Sequence, residues 1–72
     1  MDEIEALKLA THRHFKGGLY RRIGVALHSE TRERLTVYEH LWPREPGLYV
    51  RPEAMFDELL PDGTPRFAPL KR

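Results

Sequence analysis

Three short segments carry side chains whose types and spacing could do chemistry. His28-Ser29-Glu30-Thr31 sets an imidazole two residues from a carboxylate that could orient it. Histidine titrates near neutral pH, so this is a candidate acid–base or ligand-binding pair. The same four residues also suit a plain turn, because Ser29 and Thr31 can bond local backbone. His12-Arg13-His14 places two imidazoles on one face of an extended strand. With His28 or Glu30 they could hold a metal, but the spacing fixes no third ligand. Lys16, Arg22 and Arg51 form the third group. They suit an anion, or else ion pairs with Glu30, Glu39 or Glu53. The set expected to converge on one ligand is His14, Lys16, His28, Glu30 and Arg51. No catalytic residue, metal ligand or cofactor is assigned.

These residues must be positioned by short elements. Residues 2–10 read as a helix that Asp2 caps, with Ile4, Leu7, Ala6 and Ala10 as its apolar stripe. This helix is an N-terminal extension, and residues 11–72 form the main domain. Gly17-Gly18 signals a hairpin turn. From Leu19 to His28 apolar and polar positions alternate, as in a strand buried on one face, and Gly24 within it marks a bulge. Leu35 to Trp42 alternates again. Pro43 to Gly47 reads as a loop, Leu48 to Arg51 as a short strand, and Pro52 as the opening of a helical turn. Arg66 to Ala68 is a last strand. The expected core is Ile23, Val25, Leu35, Val37, Val50 and Phe56, with Met55, Leu59 and Leu60 packing beside it. Tyr20, Tyr38, Trp42 and Tyr49 fall on alternating positions that could share a face, with Trp42 the best exposed.

An antiparallel sheet this small hides a face only by curling. The expected fold class is mainly β, a small barrel of about five strands with a short N-terminal helix and one helical turn before the last strand, and by analogy of element order it is SH3-like.

Composition narrows the function. The chain has 72 residues, enough for one domain, and no cysteine, so disulfides and thiolate zinc sites are excluded. The N-terminus is acidic rather than signal-like. The longest run without a polar side chain, Ile23 to Leu27, is far short of the about 20 residues that span a bilayer. A cytoplasmic protein with no membrane partner is expected. Charged residues make up 32% of the chain, yet the net charge is only +1. A broad DNA footprint is therefore not expected, whereas a local anion site is.

The segments His14-Phe15-Lys16-Gly17, Tyr20, Ala26, His28-Ser29-Glu30-Thr31, Val37-Tyr38, Val50-Arg51-Pro52, Phe56 and Arg66-Phe67 resemble, in order and spacing, the bacterial family called domain of unknown function sixteen fifty-three. The resemblance runs from about His12 to Phe67 and implies an SH3-type barrel. It implies no activity, because none is established for the family. The leading functional expectation is a non-enzymatic binding module for an anionic ligand such as RNA or a nucleotide. The alternative is a protein–protein interaction or structural module. A small hydrolase built on His14, His28 and Glu30 ranks last, since no nucleophile elbow, P-loop or HExxH is present.

Overall fold

A computed structural model describes residues 1–71. The element order is α1 (Glu3–Leu9), β1 (His12–His14), β2 (Leu19–Leu27), β3 (Arg34–Trp42), β4 (Gly47–Pro52), α2 (Glu53–Phe56) and β5 (Phe67–Pro69). The five strands make one antiparallel sheet in the order β4-β3-β2-β1-β5. The mainly β expectation, the helix and the late helical turn all appear. Ring closure does not arise from strand pairing, because β4 and β5 end the order on opposite sides.

The sheet is nevertheless strongly curled. Tyr38 on β3 and Phe67 on β5 lie three strand spacings apart, roughly 14 Å across a flat sheet. Their ring centroids are 5.5 Å apart. The concave face carries the rings. Phe56 from α2 stacks on Phe67 at 4.4 Å and 7°, and Tyr20 and Tyr38 pack around that pair. A second cluster lies on the convex face, where α1 presses Ala6 and Ala10 onto Leu19 and Leu41. The helix starts where Asp2 accepts a hydrogen bond from the Glu5 N–H at 2.8 Å. Two small alanines bring it close, while Ile4, on the same apolar stripe of the sequence, is 69% exposed.

The expected core is corrected by these observations. Phe56 is buried at 1% exposure, but Ile23 is 54% and Val50 59% exposed, Val25 is also exposed, and Leu35 and Val37 are only half-buried. Both faces of the sheet carry apolar residues, so alternation alone does not say which one curls inward. The larger rings occupy the concave side, where α2 and β5 cover them. A bulge also intervenes: the β2–β3 register shifts between Arg22 and Gly24, at the glycine expected to mark it. Ile23 is the extra residue, and beyond it Val25 pairs with the inward Thr36. Met55 and Leu59 are exposed as well, because α2 is a single turn that presents one residue inward. Trp42, expected to be exposed, packs instead against the α1 cluster with Leu7 and Leu70.

The stacked phenylalanines should dominate stability. Phe56→Ala is expected to cost about 3–5 kcal/mol, whereas Ile23→Ala should cost less than about 1 kcal/mol. Urea unfolding of the two variants measures the contrast, and equal losses would place the core on the other face.

Candidate functional site

β1 is short, and its two histidines both point to the concave face, as their spacing predicts. His12 meets the edge of Phe56 at 5.2 Å, and His14 meets Phe67 at 4.9 Å and Tyr20 at 5.9 Å. The turn after β1 depends on two glycines. Gly17 has a φ of +101°, in the left-handed region, and its N–H donates to the His14 carbonyl at 2.7 Å. At Gly18 a Cβ would stand 3.1 Å from the Tyr20 ring, so any side chain there would push that ring aside by a few tenths of an ångström.

The turn also anchors His14 and Lys16. The Lys16 N–H donates to His14 Nδ1 at 3.2 Å, which leaves Nε2 to carry the proton of the neutral ring. Burial, and then the positive charges of Arg66, Lys16 and Arg51, hold the His14 pKa below its ordinary value. His12 is lowered too, first by burial and then by Arg22. Its Nδ1 lies 2.8 Å from the Thr11 hydroxyl, which itself accepts the Arg22 N–H at 2.7 Å. A hydroxyl that accepts there can still donate to a neutral imidazole.

Arg51, on β4, crosses the open side of the curl. Its guanidinium stands 5.5 Å over the Phe67 ring, the ring that His14 also touches. His14, Lys16 and Arg51 therefore converge. Around them are two adjoining depressions. One, of about 380 Å³, is lined by His14, Lys16, Gly18, Tyr20, His40 and Arg44. The other, of about 320 Å³, is lined by Tyr20, Tyr38, Arg44, Tyr49 and Arg51. Tyr20 and Arg44 belong to both, so the two form one groove. Tyr49 stacks on Tyr38 at 5.8 Å. Burial raises the Tyr20 pKa, with Tyr38 adding to the effect and Arg44 opposing it. His40 is buried edge-on to Tyr20 at 5.0 Å. A larger groove of about 450 Å³ lies between α1 and the C-terminal segment, but it is mainly apolar and holds none of the candidate residues.

The other two candidates lie elsewhere. His28 follows β2 at the end where Leu27 pairs with Arg34, while β1 pairs with the opposite end, at Leu19 and Tyr20. Seven residues of strand separate those ends, roughly 23 Å. His28 Nδ1 accepts the N–H groups of Glu30 and Thr31 at 3.1 and 3.3 Å, and Thr31 Oγ1 accepts the Glu33 N–H at 3.2 Å. This segment holds together the turn in which Arg32 takes a φ of 66°. The five residues thus divide into His14, Lys16 and Arg51 in the groove, and His28 and Glu30 in a remote turn.

The basic residues sort just as clearly. Arg21 pairs with Glu39 at 2.7 Å, Arg34 with Glu53 at 2.9 Å, Arg66 with Glu58 at 2.8 Å, and Arg22 more loosely with Glu53 at 3.9 Å. Arg22 also lies over Phe56, so it leaves the expected anion group. Among the described residues Lys16, Arg44 and Arg51 have no carboxylate partner; neither do Lys8, Arg13, Arg32 and Lys71, but none of these four lines the groove. Arg44 was hidden in the sequence by its place in a proline-rich loop, where nothing marks which way a side chain turns. Among the described residues no group of three or more His, Asp or Glu side chains is placed to hold a metal. No helix among them is long and apolar enough to cross a membrane.

With this geometry in hand, the chain matches the family described as Protein of unknown function (DUF1653) over residues 10–69, and it belongs to that family. The matched span leaves out α1 and contains every residue of the groove. No curated protein and no solved structure matches it.

The lowered histidines give the fold a pH dependence. A less basic imidazole in the folded chain means that the unfolded chain binds more protons. Stability is therefore full above the ordinary histidine pKa of 6.5 and falls as pH drops through the lowered folded values. Thermal unfolding should show the midpoint falling between about pH 7 and pH 5, and a His12→Gln/His14→Gln chain should lose most of that slope. An unchanged slope in the double variant would reject the assignment.

Proposed function

We propose that this chain is a non-enzymatic binding module whose concave groove takes an anionic ligand with a planar part, RNA or a nucleotide. The observation that carries this is the set of three cations, Lys16, Arg44 and Arg51, without carboxylate partners, around a floor of Tyr20, Tyr38 and Tyr49. Cations that satisfy no internal carboxylate favour an external anion, and the exposed ring of Tyr49, backed by the buried Tyr38, offers a face on which a base of any sequence stacks. The groove volume suits one or two nucleotides. We read the curled sheet, with its helical turn ahead of the last strand, as SH3-like, and its location as cytoplasmic. The hydrolase reading loses its support, since His14 stands a strand length from His28 and Glu30.

Protonation should strengthen binding. An anion beside His14 offsets the positive charges that keep its ring neutral, so binding takes up a proton as pH falls below about 6.5.

Titration of a short oligouridylate and of AMP, followed by amide chemical shifts, tests the proposal. Shifts should centre on Lys16, Tyr20, Tyr38, Tyr49 and Arg51. Lys16→Ala and Arg51→Ala should each weaken binding several-fold, about 1 kcal/mol, while His28→Ala leaves it unchanged. With three cations engaged on a single strand, the slope of log affinity against log salt should be about −2. Binding that is indifferent to both groove substitutions, or absent for both probes, would remove this function.

A further inference from the structure

β4 lies at the end of the sheet order, so among the described residues no strand lies beyond one of its edges. Its last residue identifies the groups on that edge. Pro52 has no N–H to give β3, so its backbone nitrogen faces away from the sheet. Alternation along the strand then turns the N–H and C=O of Val50 and Leu48 the same way. Neither amide donates to a turn or loop elsewhere among the described residues. The convex side of the edge is apolar, with Leu48 68% and Val50 59% exposed. Edge strands of this kind are usually blunted by charge or by a covering element.

The sequence around that edge is self-complementary. Pro46-Gly47-Leu48-Tyr49-Val50-Arg51-Pro52 has a proline three residues to either side of Tyr49. We propose that β4 pairs antiparallel with β4 of a second copy of this chain, about a two-fold axis at Tyr49. In that register Leu48 faces the partner's Val50 twice, and the free N–H and C=O groups of both residues are satisfied reciprocally. The prolines face each other and end the ladder at both sides together, which a slip by two residues would prevent. On the concave side Tyr49 meets the partner's Tyr49, and Arg51 meets the partner's Gly47 rather than a like charge. Glu45, two residues before Gly47, adds an opposite charge on the diagonal from each Arg51. The two grooves become continuous across the axis, since Tyr49 lines one of their halves.

Such a ladder buries less than the roughly 800 Å² per partner of a lasting complex, so the dimer forms in the micromolar range and exchanges. This inference does not depend on the ligand, and its test uses none. Sedimentation equilibrium of the full chain should show the mass rising from 8.5 kDa toward twice that value across the micromolar range. Val50→Lys and Leu48→Lys replace exposed side chains and should remain folded by circular dichroism and stay monomeric. The chain has no cysteine, so Tyr49→Cys places a single thiol against its own copy, at a cross-strand Cβ separation of about 5 Å. Mild oxidation should convert it to a disulfide-linked dimer much faster than Thr31→Cys, whose thiol sits in the exposed turn at the far end of β2. A mass fixed at 8.5 kDa at every concentration, undiminished association of Val50→Lys, or equal cross-linking of the two cysteine variants would each overturn the proposal.

Discussion

Phe56 and Phe67 come from a single helical turn and a three-residue strand, neither of which could persist alone. Their rings stack at 4.4 Å, nearly parallel, and the molecule is organised around that contact. Phe67 also meets His14, Tyr20 and Tyr38, and Phe56 meets His12 and Tyr38. The stack therefore reaches the concave faces of β1, β2 and β3 and holds the sheet in its curl. Arg22 and Arg51 lie over the same two rings, so the cations of the concave side are placed by aromatic faces as much as by carboxylates. A domain of this size has little apolar volume to bury, and concentrating it in a few large rings makes economical use of it.

The same constraint explains why one face could be polar and internal at once. Thr36 and His40 are buried beside the rings. His40 Nδ1 lies 3.4 Å from the Glu45 carbonyl, while the Thr36 hydroxyl has no partner among the described residues. The concave side is thus not a hydrocarbon core with a polar rim. Aromatic surface, imidazole and guanidinium are mixed throughout, and the neutral state of His12 and His14 is part of how the mixture tolerates burial.

Much of this was legible from residue order. Period two located β2 and β3, Gly17-Gly18 located the first turn, Gly24 the bulge, and Pro52 the start of α2. The pairing of His12 and His14 on one face followed from strand geometry. The choice of inner face was not legible. Odd positions of β2 carry the aliphatic residues, but the bulge at Ile23 exchanges the faces halfway along, and the rings that decide the curl come from α2 and β5, distant in sequence. The candidate residues divide between two places for a similar reason. Each of the five was a reasonable choice, yet a nine-residue strand keeps His28 and Glu30 away from His14, and only the pairing register reveals which end of β2 the first strand joins. Arg44 could not be picked out because a loop has no period to orient it.

The strand order has a kinetic meaning. β2, β3 and β4 are neighbours in sequence and can zip together through local turns, whereas β1 and β5 pair from opposite ends of the chain. Contacts that join distant segments carry the larger loop-closure entropy and form late. Phe67 arrives only with that late pairing, and without it Arg51 has no ring to rest on and His14 loses one of its walls. A chain that has formed only its central hairpins therefore has the strands that line the groove but not the ring that supports Arg51 and His14. Seating of Arg51 and His14 and completion of the fold are thus coupled, and whatever favours that arrangement of the two side chains favours finished chains over unfinished ones.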